Sequence, residues 1–186
     1  RRPGQELMSA KYRQAQAYKN YALDLLRSST NENAQAEGNA WIGRAAVAYN
    51  NLADILQQAD HPYQAGETDR EKNDALLEAA LYNTAYCLSQ VTQPKDRVPQ
   101  IQRRAIDSYE ALVKRFPRSE FAPPALIQIG SIWTILREAE QAEEALSRLL
   151  KEYPDTPEAR SALPMIAGNL MKLGMREEAI PRYRQM

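Results

Sequence analysis

Cysteine and histidine are almost missing from this chain: its 186 residues hold one of each, Cys87 and His61. A single thiol closes no internal disulfide and builds no cysteine-rich metal site, and one imidazole cannot supply a multi-histidine zinc or iron centre. Strand-forming residues are also scarce, with four Val, six Thr and two Phe against 28 Ala, a balance that favours helix. There are only 7 glycines. Neither G-x4-G-K-S/T nor G-x-G-x2-G occurs, so no glycine-rich loop offers to cradle a phosphate. HExxH, CxxC and EF-hand spacings are likewise missing. No apolar run approaches the roughly 18 residues that a membrane-spanning helix needs. The 24 basic and 24 acidic side chains cancel, which removes the basic excess on which non-specific nucleic-acid binding depends.

What is present reads as an all-helical chain, 44% hydrophobic and rich in alanine. Charge is blocked along it, with local values of +4 over 1–28, −5 over 54–78 and +4 over 95–118. Such blocks can pattern a surface for a partner, although solvated helix faces produce them as well. The opening Arg1-Arg2-Pro3-Gly4 shows no apolar signal segment and no initiator Met. The expectation is therefore a mature or excised piece of a longer protein.

A repeat organises the rest. Phe116-Pro117 and Tyr153-Pro154 lie 37 residues apart, and Ala105, Ala142 and Ala179 share that spacing. Each alanine is followed four residues later by a bulky side chain (Tyr109, Leu146, Tyr183) and three further on by Leu112, Leu149 or Met186. Upstream, Leu126, Ile129, Gly130 and Trp133 match Leu163, Ile166, Ala167 and Leu170. Both sets follow the i, i+3, i+4, i+7 stripe of an amphipathic helix, with a small residue where a neighbouring helix can come close. Leu81, Thr84, Ala85 and Leu88 form a weaker copy, and Ala45, Tyr49 and Leu52 repeat the second-helix signature. Each unit is thus two antiparallel helices.

The pattern Leu126-x2-Ile129-Gly130-x2-Trp133…Ala142-x3-Leu146…Pro154, repeated as Leu163-x2-Ile166-Ala167-x2-Leu170…Ala179-x3-Tyr183, resembles the tetratricopeptide repeat (TPR) family. The likeness is good over 119–186, moderate over 75–118 and loose over 1–60. The 37-residue spacing and the phrases RFPRSEFAPPALIQIG and EYPDTPEA look, more narrowly, like the repeats of bacterial envelope proteins of the BamD and YbgF/CpoB type. The resemblance implies a right-handed superhelix of about four helix pairs. As one domain, 1–186 would divide into a degenerate first pair (1–60), a second (72–118), a third (119–154) and a fourth (155–186).

Periodicity predicts helices near 5–28, 38–58, 72–91, 99–116, 120–137, 139–152, 157–173 and 175–186. Thr156 should cap the seventh, with Pro157 at its first position, and Gly174 should serve the turn that follows. The polar stretches 29–37, 59–71 and 92–98 read as connections longer than a regular array uses. Pro164 and Pro181 fall inside predicted helices and should kink them.

Catalytic constellations are wanting. His61 stands in a polar loop with no nucleophile beside it in sequence, and Cys87 lies within an apolar stripe, where a buried thiol is inert. The acidic pairs Glu143-Glu144 and Glu177-Glu178 are adjacent on helices, so the two carboxylates of each diverge by about 100°. The expected function is therefore non-enzymatic, without cofactor, metal or nucleic acid: a scaffold or adaptor for another protein.

In the TPR family the first helix of each pair lines a concave face that receives a peptide or a helix. The resemblance places Tyr82, Tyr86, Ser89 and Gln90 of the second pair on that face. It adds Ile127, Ser131, Thr134 and Ile135 of the third, and Pro164, Gly168, Met171 and Lys172 of the fourth. Tyr82 and Tyr86, one turn apart, would form an aromatic ledge. The Asn/Lys carboxylate clamp of chaperone-binding members is not reproduced at these positions. The narrower likeness implies a periplasmic or envelope assembly. Open beside it stand a cytoplasmic adaptor and the recruiting arm of a larger enzyme.

Overall fold

The computed structural model describes residues 4–28, 30–58 and 67–172, with 174, 177, 180 and 181; for 4, 5, 67–70 and 172 it gives the backbone alone. These residues form seven α-helices: α1 Gly4–Ser28, α2 Glu32–Gln58, α3 Glu67–Ser89, α4 Val98–Arg115, α5 Ala122–Ile135, α6 Ala139–Glu152 and α7 Pro157–Lys172. No strand occurs among them, as the alanine-rich, valine-poor composition required. The chain packs as two compact units, residues 1–108 and 109–186.

In the first unit α1 and α2 form an antiparallel pair. Leu26 lies against Gly38, where an added Cβ would stand 2.8 Å from its Cγ. Tyr21 meets Trp41 edge-on at 5.5 Å, and Tyr12 meets Tyr49 at 5.4 Å, so numbers rise along one helix as they fall along the other. α3 packs on α2. The buried Asn39 of α2 accepts hydrogen bonds from the Thr92 backbone N–H at 2.8 Å and the Thr92 hydroxyl at 3.2 Å. Ala45, Tyr49 and Leu52, the second-helix signature read in the degenerate first pair, are wholly buried.

The second unit realises the repeat most plainly. Leu126, Ile129, Leu146, Leu149 and Ile166 are all at most 1% exposed. A Cβ on Gly130 would come within 2.7 Å of Leu146 Cγ. The small residue of α5 thus sits under the bulky residue of α6, as the spacing of 37 predicts. α7 packs on both α6 and α5. A register bond joins successive repeats: the Tyr153 hydroxyl donates to the Pro117 carbonyl at 2.7 Å. Arg148 of α6 holds both carboxylate oxygens of Glu110 on α4 at 2.9 and 3.0 Å.

Several boundaries differ from the sequence reading. α2 starts at Glu32 rather than 38, so 32–37 belong to the helix rather than to a loop. Asn31 is the reason: its side-chain oxygen accepts the Asn33 N–H at 2.8 Å and its carbonyl accepts the Gln35 N–H at 2.9 Å, which caps a stretch free of glycine and proline until Gly38. α3 likewise begins at Glu67, five residues early, because nothing after Gly66 breaks it. Thr156 caps α7 as expected, its hydroxyl accepting the Ala159 N–H at 3.2 Å. Gly174 takes a left-handed φ of 80°. α7 runs through Pro164 as one helix from Pro157 to Lys172. Of the eighth predicted helix only 177, 180 and 181 are described, each helical; Ala179, Tyr183 and Met186 lie outside the described residues, as does His61.

Candidate partner-binding surface

Tyr82, Tyr86 and Ser89 occupy the last turns of α3 and Gln90 follows its end, at spacings of three and four that share a face. Tyr82, Tyr86, Ser89 and Gln90 are all half-buried. Two of them are tied to the helix end: Ser89 Oγ donates to the Tyr86 carbonyl at 2.7 Å, and Gln90 Nε2 to Ser89 Oγ at 3.3 Å. Tyr86 also faces α1, whose Lys19 ammonium stands 5.9 Å from its ring centroid and the same distance from that of Tyr49.

Lys19 and Asn83 are the polar residues that sequence reasoning missed here. Lys19 Nζ donates to Asn83 Oδ1 at 2.6 Å, and Asn83 Nδ2 donates to the Ala79 carbonyl at 2.7 Å and the Tyr12 hydroxyl at 3.3 Å. Burial lowers the pKa of Lys19, against a smaller upward pull from Cys87. Burial also raises the phenols of Tyr12 and Tyr49. Tyr12 and Lys19, seven residues apart on α1, share a helical face, and that spacing was the available signal.

The other candidates lie in the second unit. Ile127, Ser131 and Thr134 are half-buried on α5 and Ile135 is 63% exposed. The hydroxyls of Ser131 and Thr134 donate to carbonyls one turn back, Ile127 at 2.9 Å and Gly130 at 2.8 Å. Thr134 is also brought to α7, accepting a 2.6 Å hydrogen bond from Asn169 Nδ2. On α7, Pro164 is exposed, Gly168 half-buried and Met171 41% exposed. The side chain of Lys172 lies outside the described residues.

Among the described residues no group of three or more His, Cys, Asp or Glu could hold a metal ion. Cys87 is fully buried, and burial pushes its thiol up to about 12 despite the opposing charge of Lys19, so it is an inert core residue rather than a nucleophile. No helix of the described residues is long and apolar enough to cross a membrane.

A model of the tetratricopeptide repeat matches residues 79–119 and 125–156, which cover the second half of α3 with α4, and α5 with α6. No curated protein matches the chain.

Proposed function

This chain belongs to the tetratricopeptide repeat proteins through residues 79–119 and 125–156, and on that premise we propose a non-enzymatic adaptor that receives a partner protein on the face of α3 in the first unit or on those of α5 and α7 in the second. Such repeats support a protein–protein interaction role in general. The observation that carries the finer reading is the character of those faces. They keep tyrosine, serine, threonine and glutamine half-buried on helices whose opposite sides are locked into the core. Tyrosines held this way offer large contact area at little entropic cost on binding. The adaptor works in a bacterial envelope assembly on this reading, which the linker phrases around Phe116-Pro117 and Tyr153-Pro154 support.

The test is a pull-down from fractionated lysate of the source organism, with the chain and a Tyr82→Ala/Tyr86→Ala variant of unchanged helicity as baits. An envelope protein held by the parent and lost by the variant is the expected result. Equal capture by both baits removes the α3 face from the interface, and a cytoplasmic partner removes the envelope.

A further inference from the structure

A second surface lies on the first unit, away from the tyrosine face. An open cleft of about 1090 Å³ runs beside α2 from Asn39 to Asn51 and is closed on its other side by the end of α3, the segment after it and α4. Its volume stands at the upper edge of the ~300–1,000 Å³ of small-molecule sites. Thirteen helical residues rise roughly 18 Å, about three turns of an occupant helix.

Its floor is apolar and accessible. Val47 is 60% exposed and Ile101 of α4 is half-buried, with the buried Leu88 and Val91 also in the lining. Gly43 has no atom within 4 Å of where a Cβ would stand, so an incoming helix can approach α2 closely. At one end Trp41 is fixed as an anchor. Tyr18 and Tyr21 hold its ring at centroid distances of 5.3 and 5.5 Å, and its indole N–H donates to Glu37 at 3.4 Å. The Arg44 guanidinium covers the ring at 4.4 Å. Trp, Tyr and Arg dominate binding hot spots, and an anchor that is already held loses little entropy on docking.

Charge selects the occupant. Arg44 on α2 and Arg104 on α4 both line the cleft, both are exposed, and neither forms an ion pair with a described residue. Asp107, one turn beyond Arg104, is the acid of the lining. Two guanidiniums against one carboxylate favour an occupant whose flanks carry carboxylates and oppose a basic one. We infer that this cleft docks an acidic amphipathic helix of a partner protein, its apolar stripe on Val47, Ile101 and Trp41 and its carboxylates on Arg44 and Arg104.

The test uses the whole 186-residue chain with ¹⁵N-labelled tryptophan and three helical peptides of about 14 residues, long enough for the cleft. The peptides share one leucine stripe and carry Glu, Lys or Gln on its flanks. The Glu peptide should bind tightest and shift the Trp41 indole signal, leaving that of Trp133 in α5 in place. Arg44→Glu/Arg104→Glu should weaken the Glu peptide tenfold or more and strengthen the Lys peptide, with unchanged helicity. Equal affinities, a preference for Lys or Gln, no binding, or a shift confined to Trp133 each overturn the inference. So does self-association of the chain that buries Trp41, which would make a second copy the occupant.

Discussion

Single residues carry much of the packing logic, and glycines show it in both directions. A side chain at Gly130 would run into the branch point of the fully buried Leu146. Gly130→Leu should therefore destabilise the chain by about 1–3 kcal/mol, as overpacked cores do; an unchanged midpoint in urea would remove the repeat register. Gly43→Ala meets nothing and gains helix propensity, so it should stabilise by about 0.5–1 kcal/mol in the same titration. Cys87 sets a pH dependence. Folded, it keeps its proton to about pH 12, against 9.0 for an ordinary thiol. Unfolding therefore releases a proton between those values, and stability falls as pH rises through that window while below it the thiol contributes no slope. Lys19 works the other way: its folded pKa lies below 10.5, so its contribution improves as pH climbs towards that value. Thermal melts of Cys87→Ala at pH 8 to 11 should show a shallower loss above pH 9 than the parent. Parallel curves would assign the loss elsewhere.

At the scale of elements, α5 ends in a left-handed cap that lacks its usual residue. Arg137 has φ 63°; its N–H donates to the Thr134 carbonyl at 3.2 Å, and the Glu138 N–H to that of Trp133 at 2.9 Å. This is the paired 5→2 and 6→1 closure for which glycine is preferred, since a Cβ in that conformation costs roughly 1–2 kcal/mol. Arg137→Gly should raise stability by about 0.5–1 kcal/mol after glycine's own entropy cost, a shift that a melt of the purified variant resolves; a loss would mean that the arginine side chain itself supports the turn. Elements of this unit were the most legible in sequence. Thr156–Pro157 marks the start of α7, and the spacing of 37 fixes which faces meet. α2 and α3 were read too short because their starts depend on Asn31 and on a lack of breakers, not on periodicity. The candidate tyrosines were found through the repeat register. Lys19, Asn83 and the Trp41 cluster lie where that register is weak or outside it, and their meaning comes from contacts across helices far apart in sequence.

For the whole molecule, the repeat makes stability local. Within each unit the helices bury their faces against neighbours in the chain, so energy is stored in adjacent contacts rather than in one long-range core. The compact units 1–108 and 109–186 have cores of their own, one around Tyr49, Leu52 and Leu77 and the other around Leu126, Leu146 and Leu149. A defect at the Gly130–Leu146 contact should then be felt mainly where it is made. In native-state hydrogen exchange, Gly130→Leu should speed the protected amides of α5 and α6 by about tenfold for each 1.4 kcal/mol lost. Amides at the centres of α1 and α2 should keep their parental rates. The same acceleration in all helices would show that the chain opens as one cooperative body, and the repeat would then describe its geometry without governing its energetics.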